Sequence, residues 1–67
     1  MSLITVNGQP YLAKQEALLS ELLEELHYIG KRIAIERNGE IVPKSLYDKT
    51  FLVFGDRLEI IAAVGGG

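Results

Sequence analysis

Between two Asn-Gly pairs, Asn7-Gly8 and Asn38-Gly39, the chain holds a single stretch of helical period. Leu19, Leu22, Leu23 and Leu26 stand at i, i+3, i+4 and i+7, one apolar stripe of an α-helix. The stripe predicts a helix over 16–28, with Glu21, Glu24 and Glu25 on its solvated side. No obvious Ser, Thr, Asp or Asn cap marks its start, and Gly30 is expected at its end in the left-handed C′ position. Asn-Gly is the strongest short hairpin signal, because both central residues of a type I′ turn need positive φ. A tight hairpin therefore opens the chain, and a second one follows the helix. This alternation of period, two then 3.6 then two, restricts the fold to a small sheet crossed by one helix.

The remaining segments fill in that sheet. Residues 3–6 form a strand, and 9–14 return from the first turn with Tyr11 and either Ala13 or Leu12 facing the core. Pro10 has no N–H to give a ladder, which assigns this return strand to an edge. Residues 32–37 alternate, with Ile33 and Ile35 inward, and the short strand 40–42 stops at Pro43. Ser45 to Asp48 reads as one helical turn, Ser45 as its cap and Asp48 reaching back. Residues 50–54 are expected to be extended, and Gly55-Asp56 turns the chain into a last strand over 57–63. There Leu58 and Ile60 face the core while Glu59 and Ile61 face the other way.

Strand, strand, helix, strand, short strand, helical turn, strand is the order of a ubiquitin-like β-grasp, an α+β fold. A mixed sheet of four to five strands is expected, its first and last strands parallel at the centre. Ile4, Val6, Leu58 and Ile60 would lie beneath the leucine stripe. A 67-residue chain has a thin stability margin, and with no Cys and one His neither a disulfide nor a zinc site can supplement it. The 48% apolar content must suffice. One domain is expected over 1–63, with 64–67 as a flexible glycine tail.

Function is bounded mainly by what the residues cannot do. A net charge of −2 with seven scattered basic residues is the wrong electrostatics for nucleic acid. No run approaches the length of a membrane span, and no signal peptide opens the chain. With no Cys to oxidise, a cytoplasmic protein is expected. Without Cys, and with His27 at the helix end where it suits the negative dipole, no nucleophile-base pair can be assembled. The outward glutamates lack a matched His for a metal, so neither catalytic nor metal-ligating residues are expected. What remains is the end of the chain, Val64-Gly65-Gly66-Gly67. Such a run is either a tail without a role or a slim arm presenting its carboxylate, since glycine adds no Cβ and restricts φ least.

Several residues carry a family likeness in their order and spacing. They are Leu3 to Gly8, Ile35-Glu36-Arg37-Asn38, Glu40-Ile41-Val42-Pro43, Tyr47, Gly55-Asp56 before Leu58-Glu59-Ile60, and the closing Val64-Gly65-Gly66-Gly67. Over essentially the whole chain this resembles the prokaryotic ubiquitin-like sulfur carriers, and among them the ThiS family of thiamine thiazole biosynthesis. The resemblance implies that an E1-like adenylyltransferase spends ATP to adenylate the C-terminal carboxylate. Sulfur from a donor system then gives a thiocarboxylate, which is delivered to thiazole synthase. Gly67 would be the carrier residue, Gly66 its partner, and Gly65 and Val64 the access arm, with no cofactor bound. Ile61, Ala63 and Phe54 are expected to dock a partner. Phe54 departs from the polar residue more usual before the Gly-Asp turn. The alternatives are a molybdopterin synthase small subunit, a ubiquitin-like modifier and a plain β-grasp binding module. The first of these tends to be longer between helix and last strand.

Overall fold

Both Asn-Gly pairs adopt the double positive φ of a type I′ turn: 51° and 80° at Asn7-Gly8, 54° and 89° at Asn38-Gly39. The first joins β1 (Ser2–Val6) to β2 (Gln9–Ala13), and the second joins β3 (Ile33–Arg37) to β4 (Glu40–Ile41), both pairs antiparallel. β5 (Arg57–Ala62) enters between the hairpins, parallel to β1 and antiparallel to β3. The sheet order is β2-β1-β5-β3-β4, which leaves the Pro10 strand at an edge. This is the expected β-grasp, with five strands. The structure is a computed structural model that describes residues 1–62. The expected glycine tail, and Ala63 before it, lie outside the described residues.

The helix is shorter than its apolar stripe. It runs over α1 (Leu19–Glu25), seven residues in place of 16–28. Upstream, Glu16 is left-handed at φ 59°, and the Ala17 N–H closes a turn on the Lys14 carbonyl at 3.2 Å. Leu18 is extended and bridges Phe51, so the chain arrives as strand-like backbone. Its N–H donates to Glu21 Oε1 at 2.8 Å, which is half of a capping box built without a hydroxyl.

That hydrogen bond, with Lys14 Nζ 3.4 Å from the same carboxylate, holds the Glu21 carboxyl below its ordinary value. The unfolded chain therefore takes up this proton first as pH falls. The stabilisation is complete above the ordinary glutamate range and is lost as pH drops through the lowered folded value. Glu21→Gln should flatten this part of the acid limb when thermal melts are compared across the carboxylate range. A wild-type acid limb in the variant would show that the contact contributes nothing.

The C-terminus of α1 corrects the sequence expectation. Tyr28 N–H donates to the Leu23 carbonyl at 2.7 Å and His27 N–H to the Glu24 carbonyl at 3.1 Å, which is a Schellman motif. The left-handed C′ residue is His27, at φ 65°, and Gly30 at φ 84° makes a later turn. The stripe continues past Glu25 only because Leu26, at the C-cap, still packs on the core. A Cβ at positive φ carries a steric cost that glycine lacks, so His27→Gly should stabilise the fold by about 0.5–1 kcal/mol. Urea unfolding measures this, and a variant no more stable than wild type would contradict it.

One core lies between helix and sheet. Ile4, Leu19, Ile35 and Leu58 are fully buried in it, and Leu22, Leu23, Leu52, Ile60, Ala13 and Ala17 complete it. Each of the larger side chains contributes about 1.5–3 kcal/mol through burial. Ala13 takes the inward place on β2, and Leu12 is exposed. The helical turn is a 3-10 turn over Lys44–Leu46, one residue earlier than expected. Pro43 takes the cap position with its carbonyl accepting the Leu46 N–H at 2.9 Å, so Ser45 lies inside the turn and caps nothing. Residues 50–54 form no strand beyond the Leu18–Phe51 bridge; they bury Leu52 and then turn at Gly55.

Candidate functional site

The candidate site is the C-terminal glycine run, and the described residues form its base. β5 is the middle strand of five, flanked by β1 and β3. Backbone ladders alone leave N–H groups of β5 unmet where β1 ends at Val6 on one side and β3 ends at Arg37 on the other. Two turn asparagines meet them. Asn7 Oδ1 accepts the Ile60 N–H at 2.7 Å, and Asn38 Oδ1 accepts the Arg57 N–H at 2.9 Å. Each hairpin turn thus ties the strand that bears the terminus, one from either side.

A third tie lies at the foot of β5. Asp56 is 3% exposed, the only buried charged side chain among the described residues. Its carboxylate accepts from Arg37 Nε at 3.0 Å, from Asn38 Nδ2 at 3.0 Å and from the Val53 N–H at 2.9 Å. The Thr5 N–H takes its backbone carbonyl at 3.0 Å. Asp56, Arg37, Asn38 and Asn7 were not among the residues expected to serve the site. The local signal available was a carboxylate directly after a turn glycine at a strand start; its partner Arg37 becomes evident only from the strand order. Reading Asn only for its turn propensity passed over it.

The expected docking residues separate. Ile61 is exposed on the sheet face away from the helix, opposite Ala34 of β3 and one residue before the last described position. Phe54 is also exposed, but it precedes β5: the Gly55 N–H meets the Leu3 carbonyl at 2.9 Å, beside the start of β1. At about 3.3 Å of rise per residue the two lie at opposite ends of the strand. Ala63, Val64, Gly65, Gly66 and Gly67 lie outside the described residues. Among the described residues no three His, Cys, Asp or Glu side chains come together as a metal site. No helix there is long and apolar enough to cross a membrane.

A strand fixed along its length, leading to terminal glycines, can present a carboxylate to another protein. The ThiS family model matches residues 4–67, nearly the whole chain and its terminus included. The chain belongs to the ThiS family of sulfur carriers. The sulfur carrier protein ThiS of Bacillus subtilis is 32% identical over 66 residues, covering 97% of this chain and all of that protein. The crystal structure of the thiamine biosynthesis protein ThiS from Geobacter metallireducens superposes with a TM-score of 0.79 at 31% identity, covering 97% of this chain and 99% of that one. A thiazole synthase of Paramagnetospirillum magneticum is 41% identical over 64 residues, 96% of this chain but only 20% of that longer protein. As a ThiS-family member the protein is a sulfur carrier of thiamine biosynthesis, and sulfur carriers are not enzymes.

Proposed function

We propose that Gly67 carries sulfur as a C-terminal thiocarboxylate and donates it to thiazole formation. In the first step a Gly67 carboxylate oxygen attacks the α-phosphorus of ATP, and pyrophosphate leaves. The resulting acyl-adenylate is a mixed anhydride, held on an E1-like adenylyltransferase. Hydrosulfide from the donor system then attacks the acyl carbon, AMP leaves with the bonding pair of the broken acyl–oxygen bond, and loss of the S–H proton gives the thiocarboxylate. The chain supplies no acid, base or metal to either step; it supplies a positioned terminus. ATP is consumed by the activating partner, and a cytoplasmic reaction fits that need.

The observation that carries this reading is the tethering of β5 from both sides, together with a family match that runs through Gly67. Binding energy spent on the folded body positions a reacting group that itself makes few contacts. Gly66, Gly65 and Val64 provide the slim arm, and no internal thiol competes for the acyl group because the chain has no Cys. Thiazole synthase is the proposed acceptor, and the relative that joins both sequences in one chain supports it.

The test is the intact mass of the protein after incubation with ATP, its host's adenylyltransferase and a sulfide source. A gain equal to replacing one oxygen by sulfur is expected, and an unchanged mass beside an active enzyme control refutes the reading. Ile61→Thr keeps a β-branched strand residue while removing apolar contact, so it should slow that gain without changing the melt. An unaltered rate would remove Ile61 from the docking surface.

A further inference from the structure

The chain is acidic overall, yet one groove is not. A cavity of about 330 Å³ opens between the end of α1, the start of β3 and the 3-10 turn, and Tyr28, Lys31, Arg32, Ile33, Lys44 and Tyr47 line it. Three of the chain's seven basic residues stand there, and none of its nine acidic ones does. Among the described residues the ion pairs engage Lys14 and Arg37, not these three. Lys31, Arg32 and Lys44 are exposed, while the half-buried Tyr28, Tyr47 and Ile33 give the groove an apolar wall. Arg and Tyr over an apolar floor are the residue types that carry contact energy at protein interfaces.

Its position gives the groove a use. Ile33, on its wall, pairs with Ala62, the last described residue before the glycine run. Whatever holds the groove therefore sits beside the strand end from which residues 63–67 continue. We propose that the groove receives an acidic segment of the thiazole synthase that accepts the sulfur. This rests on the carrier reading above. Outside the groove the chain carries four basic and nine acidic residues, a net charge of −5 that repels such a segment, so the cationic groove also fixes the orientation of approach. Thiazole synthase is chosen as the partner because a relative joins it to a domain like this one.

The experiment measures binding of the full chain to the purified thiazole synthase of the same organism, at low and at moderate salt. K31E/R32E/K44E should bind about tenfold or more weakly and lose most of the salt dependence, with K31Q/R32Q/K44Q between it and wild type. All three sites are exposed, and matching thermal melts establish that the variants fold. Affinity of the charge-reversed variant within about twofold of wild type, or no binding by wild type itself, overturns the proposal. The mass assay on the same proteins separates the two readings. If wild type gains sulfur and the variant binds synthase normally, the groove proposal fails and the carrier reading stands. If wild type gains no sulfur, the carrier reading fails. Should charge reversal block sulfur gain while synthase affinity holds, the groove belongs to the adenylyltransferase and the proposal falls.

Discussion

Replacing Asp56 with alanine should lower the unfolding free energy by about 3 kcal/mol and the melting midpoint by roughly 15 °C. The side chain is 3% exposed and satisfies three donors at once. They do not suffer equally when it goes. Arg37 is 30% exposed at its side chain, so its guanidinium turns to water and most of that ion pair's loss is recovered. Asn38 is worse placed, because its Oδ1 already holds the Arg57 N–H and its amide is held by Asp56. Removing the carboxylate frees the amide to rotate and loosens a strand contact as well. The Val53 N–H, in a tight turn, has no second acceptor among the described residues. Asp56→Asn keeps one acceptor oxygen and should lose about half as much. Against the 5–15 kcal/mol typical of small domains, such a loss threatens the fold itself. Urea unfolding measures it, and a loss below about 1 kcal/mol would mean that the turn reorganises around the gap.

The contrast between Asp56 and the leucine stripe shows what the sequence reveals of this fold. Hydrophobic period is a property of neighbours in the chain, so Leu19, Leu22 and Leu23, and Leu58 and Ile60, announce their faces directly. The Asn-Gly turns are equally local, since positive φ at both positions is a demand of the turn itself. Helix length is not local. The stripe spans 19–26, yet the left-handed Glu16 and His27 trim the helix to seven residues, and neither residue type advertises positive φ. Ser45 fails as a cap for a similar reason, because Pro43 already fixes the preceding backbone and starts the turn first. The ties of Asn7 to Ile60 and of Asp56 to Arg37 join residues 53 and 19 positions apart. No periodicity encodes such pairs; they follow only once β5 is known to lie between the hairpins. The glycine terminus was legible as a candidate site because glycine in series has no packing role to explain it. The groove of Lys31, Arg32 and Lys44 was not, since Lys44 meets the other two only through the fold.

Deleting Gly66 and Gly67 should abolish sulfur gain altogether while changing the unfolding free energy by no more than about 0.5 kcal/mol. The new terminus would be Gly65, so the nucleophile is still a glycine carboxylate of the same intrinsic reactivity. Only its reach differs. Two residues span at most about 7 Å, and attack on phosphorus needs the oxygen at about 3–3.5 Å. A misplacement of about 1 Å already costs about a hundredfold when reaction depends on a positioned pair, so a withdrawal several times larger leaves nothing to detect. Stability is spared because, among the described residues, the core closes at Ile60 and the last ladder pair of β5 is Ile33–Ala62, upstream of both deleted glycines. The two readouts together separate carrier from binding module. A module would keep its partner affinity and every activity without its last two residues. A carrier would still bind its adenylyltransferase through the folded body, act as a competitive inhibitor of the intact chain, and gain no mass. A truncated chain that gained sulfur at the wild-type rate would move the reaction off Gly67.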